Sequence, residues 1–191
     1  MAGKGKYYES QFEEATIELL RESHWQYTFG DDIHRKYTDP LIEEDLRTFL
    51  ATQYKDKRLT TSEVDGIVAN LRNTGGQNDY YALQNTFLLY RDGYDFTYSD
   101  GRDNPFRLQY IDFEHPDHNI FRCVNQFVME QGRENRRPDI LLFVNGIPVC
   151  IVELKNPTKQ NATIRDAYTQ ICTRYMRDIP ALLKYCALAV I

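Results

Sequence analysis

The chain has 191 residues, 42% of them hydrophobic and 27% charged, an ordinary balance for one globular domain with a substantial core. A formal net charge of −5 and a pI near 5.4 exclude the broadly basic surface of a tight, non-specific nucleic-acid binder, though not a local basic groove. No apolar run approaches the roughly 20 residues that span a bilayer, and the basic start at residues 1–6 has no apolar stretch behind it, so neither a membrane span nor a secretory signal is expected.

Four cysteines, Cys123, Cys150, Cys172 and Cys186, are far apart and lack zinc-ligand spacing, which fits a reducing cytoplasm. Residues 7–23 carry Tyr8, Phe12, Ala15, Ile17, Leu19 and Leu20 at the spacing of an amphipathic helix. Glu9, Glu13, Glu14 and Glu18 fill its other positions, as a solvated face would. Trp25, Tyr27 and Phe29 alternate and predict a short strand. Asp39-Pro40 reads as a helix start, a capping side chain followed by proline, with the helix running to about Tyr54 and Leu41, Ile42, Leu46, Phe49 and Leu50 inward. A second helix starts at Thr61 and ends before Gly75-Gly76. A third runs from Asn78-Asp79 to Gly93, with Tyr81, Leu83, Phe87, Leu88 and Leu89. The block over about 39–92 contains no catalytic constellation and is expected to be a helical insertion that serves as scaffold.

From Tyr94 the period changes to 2. Tyr94, Phe96 and Tyr98 predict one strand. Phe106, Leu108 and Tyr110, followed by Ile111 and Phe113, predict a second, after the turn signals Asp100-Gly101 and Asn104-Pro105. His115 and His118 sit in a polar loop beside Pro116, where solvated histidines are the ordinary case. A third strand is expected over Ile120–Glu130, with Phe121, Cys123, Asn125, Phe127 and Met129 on one face. A polar link carrying Arg133, Arg136 and Arg137 follows. It reads equally as a charged turn or as a phosphate contact, since the guanidinium fork suits phosphate.

Residues 137–157 form the most informative stretch. Two nearly continuous apolar strands flank Asn145-Gly146, as expected for strands covered on both faces, and Pro138 and Asn156-Pro157 bound them. Asp139 opens the first strand, and Glu153 and Lys155 close the second. Charges at the ends of buried strands need a partner, a metal or water. Two carboxylates offer hard oxygen ligands suited to Mg²⁺, and Lys155 shares a strand face with Glu153. The alternative is a buried salt bridge closing a hairpin. Register decides whether the carboxylates can meet. A regular two-residue loop at Asn145-Gly146 sets Asp139 opposite Val152 and puts Glu153 on the other face. A three-residue loop or a β-bulge sets Asp139 opposite Glu153, and Pro148, which has no N–H, favours such an irregularity. The expectation is therefore a three-residue loop or a bulge, with both carboxylates and Lys155 on one side.

Thr163–Met176 predicts a helix, and residues 186–191 read as a buried apolar strand. Because the chain stops inside that strand, it is expected to be truncated from a longer protein. No internal repeat and no phosphate-binding GxxxxGK[ST] loop occurs.

Pro138-Asp139 with Glu153-Leu154-Lys155 resembles the PD-(D/E)xK nuclease signature. The longer strings, Arg137 to Pro148 and Val152 to Pro157, resemble the nuclease domain of the restriction subunit of type I restriction–modification enzymes. The resemblance continues through Arg177-Asp178-Ile179-Pro180 and, more loosely, back to the first helix. It implies an α/β, restriction-endonuclease-like core, with a mixed central sheet flanked by helices. The expected organisation is one nuclease domain over 1–191, with core strands at about 94–191. The implied function is Mg²⁺-dependent cleavage of double-stranded DNA, with Asp139, Glu153 and Lys155 catalytic. The metal would lie on Asp139, Glu153 and the Leu154 carbonyl, and the resemblance offers Glu13 as a further ligand. Gln170 and Tyr175 resemble the family's Gln…Tyr motif, which with Arg136 and Arg137 implies DNA contacts. The usual spacing of that motif is four, and here it is five. In an α-helix this step turns the side chains about 140° apart instead of about 40°, so the helix carries an extra residue in a π-bulge or one of the pair has another role. The implied partners are the methyltransferase and specificity subunits. ATP would act only through domains absent from these residues. Two alternatives stand beside this reading: a stand-alone nuclease of the same fold, and a non-catalytic interaction domain built around a salt bridge.

Overall fold

The computed structural model describes residues 4–155 and 164–191. Strands β1 (Gln26–Phe29), β4 (Phe121–Asn125), β7 (Ile140–Val144), β8 (Ile147–Val152) and β9 (Leu188–Val190) form a five-stranded mixed sheet in the order β1-β4-β7-β8-β9. β1 runs parallel to β4 and β8 parallel to β9, while β4–β7 and β7–β8 are antiparallel.

The apolar runs of β7 and β8 are explained by what covers each face. On one face, Cys123, Ile140, Cys150 and Val152 pack with Ile17 of the first helix, α1 (Lys4–Glu22). On the other, Val124, Leu141, Phe143 and Ile151 pack with Ile171, Tyr175, Ile179, Leu182 and Leu183 of the C-terminal helical segment. Each such fully buried aliphatic side chain contributes about 1.5–3 kcal/mol. The sheet is therefore a middle layer between helices, and its strand ends are the places where charge meets solvent.

The helical block consists of α2 (Glu43–Gln53), α3 (Thr61–Asn73) and α4 (Asp79–Asp92). Thr60 caps α3 in a reciprocal capping box with Glu63, and Asn78 caps α4. The helix expected from Asp39-Pro40 begins instead at Glu43. The Asp39 carboxylate accepts the Leu41 N–H at 3.1 Å, and the Ile42 N–H donates to the Gly146 carbonyl at 2.9 Å, so these residues are held by the hairpin turn before the helix starts. Gly146 packs so closely that a Cβ there would lie 2.1 Å from the Ile42 oxygen, with φ +75°. Asp45 of α2 binds Arg122 of β4 through two hydrogen bonds of 2.7 Å, which fastens the block to the sheet.

Three expectations about strands change. β2 (Tyr94–Phe96) and β3 (Phe106–Leu108) pair with each other as a separate ribbon whose aromatic side chains pack on the helical block. They do not join the central sheet, and β1 takes that place. The single strand expected over Ile120–Glu130 breaks at Gln126, whose φ is +56°, and resumes as β5 (Met129–Gln131) paired with β6 (Glu134–Arg136). The polar arginine link is thus a small hairpin. The strand expected to be buried at 186–191 is instead β9 at the sheet edge, with Leu188 58% and Val190 41% exposed, because no described element covers it.

Candidate active site

The β7–β8 hairpin turns at Asn145-Gly146, both with positive φ (51° and 75°), and Val144 pairs with Ile147. A regular hairpin of this kind would separate the carboxylates. The ladder shifts, however, between Phe143, paired with Pro148, and Leu142, paired with Cys150. Val149 is the extra residue, one position after the proline that cannot donate to the ladder. Ile140 then pairs with Val152, and one step on, Asp139 falls opposite Glu153. Of the two irregularities expected from the sequence, the bulge is the one present.

Asp139 Oδ2 accepts the Leu154 N–H at 2.7 Å, so its carboxylate reaches across to the end of β8. Glu153 is 2% exposed. Its Oε1 accepts Lys155 Nζ at 2.6 Å and also the Gln170 amide, and its Oε2 accepts the Tyr175 hydroxyl at 3.0 Å. Gln170 and Tyr175 bound a π-helical turn (Gln170–Tyr175) that follows α5 (Ile164–Thr169). Hydrogen bonds spanning five residues put side chains five apart on one face. Gln170 Nε2 accordingly reaches the Tyr175 hydroxyl at 2.7 Å. Burial, followed by the negative charge of Glu153, pushes the Tyr175 phenol far above its ordinary range, so it remains a neutral donor.

Asp139 is pushed up to about 6, first by burial and then by Glu153, with Glu13 adding to the effect; the Leu154 N–H and Lys155 oppose it. This sets a stability prediction. The group's protonated form is favoured in the folded state, so its stabilising contribution is complete below about 3.8 and lost as pH rises through about 6. Asp139→Asn keeps an acceptor for the Leu154 N–H and removes the repulsion. Without divalent ions, thermal melts should show this variant more stable than wild type at pH 7, with the difference vanishing towards pH 3.5. An unchanged difference across that range would contradict the repulsion.

Glu13 lies on α1, and its Oε1 accepts Asn125 Nδ2 at 2.7 Å and Gln126 Nε2 at 3.3 Å. Tyr27 donates in turn to Asn125 Oδ1 at 3.0 Å. These residues line a cleft of about 520 Å³ with Glu14, Ile17 and Arg21. Sequence reasoning singled out Glu13 but missed Asn125, Gln126 and Tyr27. The local sign of Asn125 and Gln126 was an amide pair at the end of a strand. Leu154 meets Asp139 through its backbone N–H. Arg136 is engaged by Asp178 at 2.7 Å and Glu134 at 2.8 Å, which ties β6 to α6 (Met176–Asp178), whereas Arg137 is exposed. The turn at Asn156-Pro157 and the expected helix start at Thr163 lie outside the described residues. All four cysteines are free thiols.

A mixed sheet layered between helices, with an acidic pair and a lysine at neighbouring strand ends, is a restriction-endonuclease-like architecture. The family model for the type I restriction enzyme R protein N terminus matches residues 6–191, and the chain belongs to that family. It is similar to the type I restriction enzyme HindI endonuclease subunit of Haemophilus influenzae, at 29% identity over 93% of this chain and 17% of that protein. It is also similar to the putative type I restriction enzyme MjaIXP endonuclease subunit of Methanocaldococcus jannaschii, at 30% identity over 94% of this chain and 18% of that protein. The chain thus spans less than a fifth of the length of these relatives. No helix among the described residues is long and apolar enough to cross a membrane.

Proposed function

We propose that this chain is the Mg²⁺-dependent endonuclease module of a type I restriction enzyme, hydrolysing phosphodiester bonds of double-stranded DNA. The observation that carries the reading is the bulged register that sets Asp139 opposite Glu153. The donor set fits a hard divalent cation: burial and the neighbouring Glu153 carboxylate raise the cost of ionising Asp139, and a cation between the two carboxylates relieves it. Asp139 and Glu153 would hold Mg²⁺, with the Leu154 carbonyl and Glu13 completing the protein ligands. A bound Mg²⁺ supplies a polarised phosphate oxygen and a more acidic water.

The chain's own residues do the rest. Lys155 touches Glu153, and its ammonium orients the attacking water and offsets charge developing on the phosphate. Gln170 and Tyr175 hold both oxygens of Glu153 and so fix the carboxylate's direction. For DNA, Gln170, Tyr175, Arg136 and Arg137 form the proposed contact set. Arg137 is the phosphate contact we favour within it, since Arg136 already binds two carboxylates. The acidic net charge of −5 supports a module whose DNA affinity comes mainly from elsewhere in the assembly. The proposed partners are the methyltransferase and specificity subunits, ATP would serve domains outside these residues, and the proposed setting is the cytoplasm.

A second reading is a purely structural ion pair, favoured by the 2.6 Å contact between Lys155 and Glu153. Calorimetric titration with Mg²⁺ separates the two. The nuclease reading expects saturable binding that Asp139→Asn removes. A chain that binds no Mg²⁺ at millimolar concentration leaves the ion pair.

A further inference from the structure

The geometry points to a second metal site, for a borderline divalent ion such as Zn²⁺, formed by Asp112, His115 and His118. One ligand atom from each residue lies within 4.8 Å of the others. The Asp112 side chain is 6% exposed. Its Oδ1 accepts the backbone N–H groups of Glu114 (3.0 Å) and His115 (2.8 Å), and its Oδ2 accepts the Gln53 amide at 2.8 Å. Both imidazoles turn Nδ1 towards the same Oδ2, His118 at 3.1 Å and His115 at 3.6 Å, with their rings stacked at 4.9 Å.

That convergence exceeds what hydrogen bonding can use. A carboxylate oxygen offers two lone pairs, and Gln53 takes one of those on Oδ2, so a single imidazole can bond and the second is aimed at an occupied atom. Protonating both rings would set two like charges at stacking distance. One cation shared by both Nδ1 lone pairs and the remaining Oδ2 lone pair satisfies all three groups. Two imidazole nitrogens and one carboxylate oxygen suit Zn²⁺, Co²⁺ or Ni²⁺ better than Mg²⁺. The histidine side chains are 61% and 50% exposed, which leaves room for water in the remaining positions.

The backbone that carries these ligands is fixed without the ion. Asn119 Oδ1 accepts the Asp112 N–H at 2.9 Å, and its amide donates to the carbonyls of Asp112 (2.8 Å) and Pro116 (3.0 Å). Asn145, in the hairpin turn, donates to Asn119 Oδ1 at 2.8 Å. The site therefore sits at the turn end of the β7–β8 hairpin. Asp139 and Glu153 lie at the other end, roughly 20 Å along the strands. The His-x-x-His spacing comes from a short 3-10 turn at Pro116–His118. A bound ion would clamp that turn onto the buried Asp112.

Zn²⁺ calorimetry on the chain tests this, in millimolar Mg²⁺ to occupy the Asp139–Glu153 pair and with Cys172→Ser to remove the exposed thiol. The expected result is one Zn²⁺ per chain, with binding weakened at least about tenfold in His115→Ala/His118→Ala. Zn²⁺ should raise the melting temperature of wild type but not of the double variant. Both histidines are exposed, so the variants should melt like wild type in chelator. If the double variant does not fold, the single variant His118→Asn carries the same comparison. No Zn²⁺ binding by wild type, or equal binding by wild type and variant, overturns the site.

Discussion

Replacing Lys155 with alanine is expected to lower DNA cleavage by the assembled enzyme about a thousandfold while leaving Mg²⁺ binding nearly intact. The lysine lies three residues past the end of β8 and touches Glu153 Oε1 at 2.6 Å, but a cation cannot be a ligand. In the proposed role its contribution belongs to the transition state, where a preorganised positive group at the phosphate is worth about 10²–10³-fold, or about 3–4 kcal/mol. Lys155→Arg should not restore cleavage, because the planar fork is larger and places its donors differently. Single-turnover cleavage by complexes carrying each variant, beside calorimetry, separates the two effects. Wild-type cleavage by the arginine variant would contradict the role, and loss of Mg²⁺ binding in the alanine variant would mean that Lys155 supports the metal ligands instead.

Asp139→Ala should remove both Mg²⁺ binding and cleavage, the latter by at least about a thousandfold, and the protein should still fold. The fold survives because the carboxylate is a liability there: burial and Glu153 both penalise its charge, and only the Leu154 N–H and Lys155 favour it. Truncation relieves the repulsion at the expense of one hydrogen bond, worth about 1 kcal/mol. Circular dichroism of the variant should match wild type. Full cleavage by a complex carrying Asp139→Ala would remove this residue from the site and with it the reason for the bulged register.

Much of this site was legible locally. The apolar runs of β7 and β8 predicted a strand pair covered on both faces, and α1 and the C-terminal helices cover them. The one-residue excess between Gln170 and Tyr175 predicted either a π-bulge or a divided role, and the π turn is present with both side chains on Glu153. Other expectations failed where a distant partner decided. Asp39-Pro40 looked like a helix start, but the Ile42 N–H is used by Gly146 more than a hundred residues away. The sequence left Arg136 open between a charged turn and a phosphate contact, and only the fold brings Asp178 to its guanidinium beside Glu134.

By itself the sequence determined most of the strands and helices, where many of them are punctuated, and which charged residues end buried strands. These follow from period, capping and turn chemistry, all of which act within a few residues. Tertiary structure alone decided that Val149 is the bulged residue, that β2 and β3 leave the central sheet while β1 joins it, and that Asn125 and Gln126 meet Glu13. It also brought Gln53 to Asp112 beside two histidines that looked merely solvated. Register and partnership depend on residues far apart in the chain, and a one-residue slip leaves the local pattern unchanged while moving every side chain to the opposite face.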